Sequence, residues 1–344
     1  MEDYFDRMEN GHVRTDCYDR VTNTLDISFG DLYPSCVLSN SCDNNFLFDG
    51  VYCGSMEGFL QSLKYSDPLR QVQICACKGG LESRMSHNLW ISEQRLWWKG
   101  EALERQSDAY QHLLFRAYKS LFDQNQRFRV ALLMTIGRNL SHIHGPEDPT
   151  QTVLTASEFC SILTEIRDNS RFIEEYNTDR SRKLAFLLRH DRKYKYDEHG
   201  WRDVEDLVSR YGFTLEELCV IVCMNNKQRF EFSDDLTHIR ARQGHSVQVD
   251  VELRELIPPD ILYHGTAVQN VESILREGIV KGNRLYVHLS SSTEVAMNVG
   301  QRHGDPVVLT IDSKSMREAG KKFYLSRNGV WLTEFVAPMY IKQQ

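Results

Sequence analysis

Six short stretches, grouped in four constellations, carry residues suited to gripping anions or a flat polar ligand. In LAFLLRHDRKYKY (184–196), Leu184, Leu187 and Leu188 can share one side of a helix, which sets Arg189 and His190 together at its C-terminal end. A helix dipole favours cations there, so a plain basic cap accounts for the pair. The alternation of Lys193 and Lys195 with Tyr194 and Tyr196 adds a second reading, because cations beside aromatic rings suit a phosphate chain with a base to stack. In NNKQRFEF (225–232) and IRARQGHS (239–246), Lys227, Arg229, Arg240 and Arg242 would come close together if the two segments paired. They would form either a solvated sheet face or a cradle whose guanidinium forks match two phosphate oxygens. The end of the second segment adds Gly244 for close approach, followed by His245 and Ser246 as hydrogen-bonding side chains. Two apolar runs, ILYHGT (261–266) and LYVHLSSS (285–292), end in His264 and His288, followed by hydroxyls at Thr266, Ser290 and Ser291. One such histidine is ordinarily a core residue. Two at matching strand ends, with Gly265 removing the side chain from one wall, suit a slot for a flat polar ligand. Arg302, on the glycine-flanked loop of VGQRHGDPVVL (299–309), could close a phosphate site from the other side.

Holding these residues requires a particular set of elements. Helical patterns fit SRKLAFLLRH, VEDLVSRY and TLEELCVIVCMN, the last with Thr214 and Glu217 at capping-box spacing. QRFEFS and HIRARQ can then pair across Asp234 and Asp235 as a wing. Beyond residue 255 strand-like runs dominate, interrupted by two helices. The N-terminal part is mostly helical; in SMEGFLQSLKY, Met56, Phe59, Leu60 and Leu63 recur at i, i+3, i+4 and i+7 as one buried stripe. The reading is an α+β chain with an irregular arm over 1–29, a first domain over 30–170, a polar linker over 171–180, a winged-helix-like lobe over 181–250 and a β-rich lobe over 251–344.

The chain has 344 residues, more than one core usually supports, which agrees with two domains. Its net charge of −7 argues against a protein that coats nucleic acid, yet the acidity resides in residues 1–180 and leaves room for a basic pocket in the second half. Nine cysteines, odd in number and set in apolar segments, point to a reducing compartment and a cytoplasmic protein, with no metal site and no membrane partner expected. No G-x-G-x-x-G follows a strand, so a dinucleotide here would not be held in the Rossmann manner.

The ordered motifs L-R-H, K-Q-R-F, I-R-A-x-Q-G-H-S, Y-H-G-T, V-H-L-S, V-G-x-R-H-G and N-G-V-W-L-T, over about 181–341, resemble the RNA 2'-phosphotransferase family (Tpt/KptA). The resemblance implies a winged-helix lobe joined to an ADP-ribosyltransferase-like lobe, an RNA partner bearing an internal 2'-phosphate, and NAD as co-substrate. It implies Arg189, His190, Arg229 and Arg302 as the catalytic set. His264, Gly265, Thr266, His288 and Ser290 would line the NAD site; by residue type and position, Gln243, His245 and Ser246 are read as further NAD contacts and Lys193, Lys195 and Lys227 as RNA contacts. A phosphate monoester with a second pKa of about 6 is mostly dianionic at neutral pH and needs no base to attack the anomeric carbon that carries nicotinamide. In the implied second step a ribose 2''-hydroxyl attacks phosphorus, leaving 2'-OH RNA and ADP-ribose 1'',2''-cyclic phosphate.

Residues 30–168 contain NFLFDGVYCGSMEGFLQSLKY, WWKGEALERQSDAY, ALLMTIGRNLSH and VLTASEFCSILTEIR, which resemble the NADAR superfamily (YbiA-like) more loosely. That resemblance implies Glu57 as an active-site carboxylate cleaving an N-glycosidic bond to ADP-ribose, and ADP-ribosylated nucleic acid as a second partner class; by residue type, Lys64 is read as a phosphate contact and Trp98 as stacking a base. The plainer readings are an acid complementing a helix N-terminus and a core tryptophan. Two other functions stay open: binding modules without turnover, and an ADP-ribosyltransferase.

Overall fold

A computed structural model describes residues 18–19, 21–78, 89–225, 228–247, 249, 253–302, 304–326 and 329–343. It divides into two compact units, one formed by the chain through Tyr176 together with Phe213–Met224, the other by Asn177–Gly212 together with Asn225–Gln344. Helices and strands both contribute, as an α+β chain requires.

In the first unit, helix Met56–Ser62 starts where the Ser55 hydroxyl accepts the Gly58 N–H, and it buries Met56, Phe59 and Leu60 as the spacing predicts. Helix Asp108–Gln124 buries Tyr110, Leu113, Leu114, Ala117, Tyr118 and Leu121 along one stripe. Helix Ala156–Asp168 begins with a full capping box between Thr155 and Glu158, and Glu158 is held further by the buried Arg105 at 2.7 Å. Tyr18–Asp19 and Thr24–Asp26, expected inside an irregular arm, pair instead as strands, and Thr24–Asp26 runs parallel to Asn139–Ser141. Helix Leu215–Cys223, read from sequence as part of the following lobe, also belongs to this unit. It packs on helices Gln126–Leu133 and Arg171–Glu174. The reason lies in its composition: Leu218, Cys219, Val220 and Ile221 are all buried, and the buried Glu216 carboxylate pairs with Arg129 at 2.9 Å.

The second unit opens with helix Thr178–Arg189, capped by Asn177, and helix Val204–Tyr211, which Gly212 ends in the left-handed conformation. The expected hairpin forms: His238–Ala241 pairs antiparallel with Phe230–Phe232, and Arg202–Asp203 adds a third strand on its other side. Beyond it, strand Ile261–Ala267 pairs with Pro306–Asp312 over its whole length, and Ile341–Gln343 completes that sheet. A second sheet has the order Arg254–Glu255, Tyr324–Leu325, Trp331–Thr333, Val287–Leu289. Leu262, Leu309, Ile311, Met316 and Phe323 form the core of this lobe with Val287, Leu289 and Leu332 close to fully buried. A bridge between Tyr263 and Ser290 ties the two histidine-bearing strands together.

Candidate active site

Three of the arginines singled out in the sequence line one cavity of about 1080 Å³ in the second unit. Arg189 comes from the last turn of helix Thr178–Arg189, Arg229 from the residue before strand Phe230–Phe232, and Arg302 from just beyond helix Thr293–Gly300. Arg284 joins them on the wall. Burial, then the neighbouring Arg229 and Arg284, push Arg189 down to about 10. It remains a cation at neutral pH, but one whose charge is opposed by its surroundings, and its buried Nε has no hydrogen-bond partner. Gly244, at φ 84°, lays its backbone beside the Arg189 guanidinium; a Cβ there would sit 3.5 Å from Cζ. Glu277 is the one acid among the described residues of the wall, and Arg276 pairs with it at 2.6 Å.

The two histidine strands line the same cavity. His264 Nδ1 lies 3.1 Å from the His288 carbonyl, so this nitrogen must carry the proton and donate. Arg284 Nη1 donates to His288 Nδ1 at 2.7 Å, which leaves the proton of the neutral His288 ring on Nε2. Burial, with Arg284, Arg189 and His264 nearby, holds His288 down at about 3, so that ring is neutral at physiological pH. The Thr266 hydroxyl accepts from Asn270 at 3.3 Å, and the Ser290 hydroxyl donates to the Ser292 carbonyl at 3.0 Å. Gly265 has a structural cause stronger than exposure of its backbone to a ligand: a Cβ there would lie 1.7 Å from the Ala296 carbonyl oxygen, so only glycine lets helix Thr293–Gly300 pack this closely on the strand.

His190 and Ser246 lie elsewhere, on a smaller cavity of about 390 Å³ that shares Arg189, Gly244 and Arg284 with the first. His190 Nδ1 and Ser246 Oγ are 2.9 Å apart, and burial followed by Arg189 and Arg284 lowers the pKa of this imidazole. Gln243 lines the larger cavity with its buried Oε1 unpartnered. His245 lines neither: it is 1 % exposed, its Nε2 lacks a partner, and burial among Arg189, His190 and Arg240 holds it at about 3. Its position supports the turn behind Arg189 rather than ligand contact.

The paired-arginine reading needs a second correction. Arg240 and Arg242 share the buried Glu231 carboxylate at 2.6 and 3.0 Å, so they already have an anion and leave Arg229 as the member at the cavity. Tyr194 is also committed inward, with the Arg202 guanidinium 4.2 Å from its ring, and Tyr196 donates to the Leu187 carbonyl. Lys193 and Lys195 are exposed and line neither cavity. Lys227 lies outside the described residues. Arg284 was missed because a lone arginine four residues before a histidine carries no pattern of its own.

In the first unit the Glu57 carboxylate accepts from Gln61 at 2.8 Å, and its backbone N–H donates to the Asn40 carbonyl at 2.8 Å. Asn40 in turn accepts at Oδ1 from the buried Tyr118 hydroxyl at 2.6 Å. Lys64 is half-buried near Glu57; burial lowers its pKa while the carboxylate opposes that shift. Glu57, Lys64 and the Asn40–Tyr118 pair thus gather in one place. Trp98 does not present a stacking face. It is 6 % exposed, packs against Phe48 at 5.4 Å and Phe59 at 5.2 Å, and donates to Asp49 at 3.0 Å. It is a core residue because hairpin Arg95–Trp98 and Glu101–Glu104 turns that ring inward.

A cavity lined by guanidinium groups together with imidazoles and hydroxyls has the chemistry to hold a phosphorylated polar ligand. Comparison with known proteins is specific. Residues 175–335 match the model of the RNA 2'-phosphotransferase, Tpt1 / KptA family. A protein of Fusobacterium nucleatum named "Probable RNA 2'-phosphotransferase" is 45 % identical over 170 residues, covering 47 % of this chain and 95 % of its own. Proteins of the same name from Hahella chejuensis and Flavobacterium johnsoniae are each 45 % identical over 170 residues, which is 47 % of this chain and 91 % and 93 % of theirs. Through this C-terminal part, the chain belongs to the RNA 2'-phosphotransferase family. Residues 32–168 match a model described as Bacteriophage protein GP30.3. The NMR structure of the E. coli protein YbiA aligns with a TM-score of 0.31 and 14 % identity, over 52 % of this chain and 95 % of that one.

Proposed function

We propose that the second unit moves an internal RNA 2'-phosphate onto NAD, leaving 2'-OH RNA, nicotinamide and ADP-ribose 1'',2''-cyclic phosphate. The observation that carries this reading is the convergence of Arg189, Arg229 and Arg302 on one cavity whose single acidic lining residue, among those described, is already paired. Cations set against one another in this way are relieved by a dianion, and a phosphate monoester near neutral pH supplies one. The cavity volume, about 1080 Å³, stands at the top of the usual range for small-molecule sites, which supports a dinucleotide beside a phosphorylated ribose. His288 offers an Nε2–H donor and His264, when neutral, an Nε2 acceptor, so the pair can orient hydroxyls without adding positive charge.

The residues of this chain then act mainly by position. Arg189, Arg229 and Arg302 fix the phosphate oxygens so that one faces the anomeric carbon, and they spread the charge as it shifts. No side chain has to remove a proton before that first attack. The pocket's hydroxyls and imidazoles hold the nucleotide so that the ribose hydroxyl used in the second step stays beside phosphorus. NAD supplies the electrophilic anomeric carbon and leaves as nicotinamide and a nucleotide product.

For the first unit we propose cleavage of an N-glycosidic bond to ADP-ribose on nucleic acid, with Glu57 steadying positive charge at the anomeric carbon and Lys64 meeting phosphate. The support is the gathering of Glu57, Gln61, Lys64 and Asn40 around one helix start. The two assignments are separable in the full chain. Arg189→Ala should abolish nicotinamide release driven by a 2'-phosphorylated oligonucleotide, a loss of at least about 100-fold, while leaving ADP-ribose release from modified nucleic acid intact. Glu57→Gln should do the converse. Mass spectrometry of the products reads both, and a variant that lost both activities equally would refute the division.

A further inference from the structure

The smaller cavity has a property that neither the fold nor the 2'-phosphate reading explains. Three guanidinium groups, Arg189, Arg192 and Arg284, border about 390 Å³, and no carboxylate lines it among the described residues. Arg192 is exposed, and among the described residues it makes no ion pair while the Arg284 side chain has only the His288 ring as a hydrogen-bond partner. Of the remaining polar groups, Asn283 can donate to an anion, and the hydrogen-bonded His190–Ser246 pair can present one donor. Since the two cavities meet at Arg189, Gly244 and Arg284, a ligand gripped by Arg189 in the larger one reaches the smaller one without leaving the wall.

RNA chemistry says what would extend there. A 2'-phosphate on an internal ribose always has a 3',5'-phosphodiester on the adjacent carbon, a monoanion that cannot be separated from the dianion beside it. We propose that the smaller cavity is the seat of this diester, with Arg192 and Asn283 as the residues that recognise it and Arg284 as the post between the two phosphates. The inference rests on the reading of Arg189 as a phosphate ligand. It makes Arg192 and Asn283 specificity determinants for an internal rather than a terminal 2'-phosphate, and it places no reacting atom on either of them.

The test uses the full chain, wild type and Arg192→Ala, with two ligands: adenosine 2'-monophosphate, whose 3'-hydroxyl is free, and a diadenosine with a 2'-phosphate on the ribose that carries the 3',5' link. Binding is measured calorimetrically without NAD, and nicotinamide release with it. Loss of one charge-assisted contact corresponds to roughly 10- to 100-fold. Wild type should prefer the dinucleotide by about that factor, and Arg192→Ala should abolish the preference through KM while leaving the mononucleotide unchanged. Asn283→Ala should give a smaller change in the same direction. Equal losses on both ligands, no loss on either, or a rise confined to the KM for NAD would overturn the assignment; the last would mean that the anion seated there is the dinucleotide's pyrophosphate. If wild type binds the dinucleotide preferentially yet releases no nicotinamide, the functional reading fails while the diester seat stands.

Discussion

Arg189 gathers more of the site's physics than any other residue. It lies at a helix C-terminus, where the dipole favours a cation, yet burial and two neighbouring arginines oppose its charge. A bound dianion would resolve that conflict. The two most depressed imidazoles, His245 and His288, respond to the same cations, and they set a pH dependence of stability. Each is held at about 3 in the folded chain against an ordinary value of 6.5. The unfolded chain therefore takes up protons first as pH falls. The stability these rings contribute is complete above pH 6.5 and declines as pH drops from there toward about 3. The limiting slope is about 1.4 kcal/mol per pH unit for each ring. Urea titrations between pH 7 and 5 should show this loss, and His245→Gln should flatten it by about one proton. An unchanged slope would mean that His245 protonates freely in the folded chain. At this scale the sequence was a good guide to residue types and a poor one to which arginines were already neutralised. Arg240 and Arg242 could be read as ligands, because sequence alone does not fix the pairing register that sets Glu231 directly opposite Arg240.

Single elements carry the site only because they are close-packed. Gly265 permits the Ala296 carbonyl to approach where a methyl would stand 1.7 Å away, and Gly300 makes the reciprocal approach, with a Cβ there 2.8 Å from the Thr266 carbonyl oxygen. That contact fixes helix Thr293–Gly300 and hence the start of the loop bearing Arg302. Gly265→Ala must displace the helix, at a cost of at least about 3 kcal/mol. It should lower the urea midpoint of the second unit and the rate of nicotinamide release together; a variant as stable as wild type would show that strand and helix can separate freely. The periodic stripe of helix Met56–Ser62 and the pairing of His238–Ala241 with Phe230–Phe232 were legible in the sequence, since both depend on local alternation. The close helix–strand contact was not, because it depends on residues thirty positions apart. Trp98 was ambiguous for a related reason: strand position alone does not say which face meets Phe48 and Phe59.

For the whole molecule, the chain order of the parts differs from their spatial grouping. Helix Leu215–Cys223 belongs with the first unit although it is flanked in sequence by segments of the second, and its Glu216 is the partner of Arg129. Cutting the chain at Tyr176 would leave Arg129 without that carboxylate, so activities are best assigned in the full chain by site variants. No helix among the described residues is long and apolar enough to cross a membrane. The account stands on one coupling, that a 2'-phosphate gripped by Arg189, Arg229 and Arg302 is itself the nucleophile that displaces nicotinamide. The direct measurement is nicotinamide release from NAD by the full-length protein, comparing one oligonucleotide with an internal 2'-phosphate and the same oligonucleotide with a 2'-hydroxyl. The expected result is stoichiometric release with the phosphorylated strand and only background with the other. Equal release from both, or from neither, would contradict it.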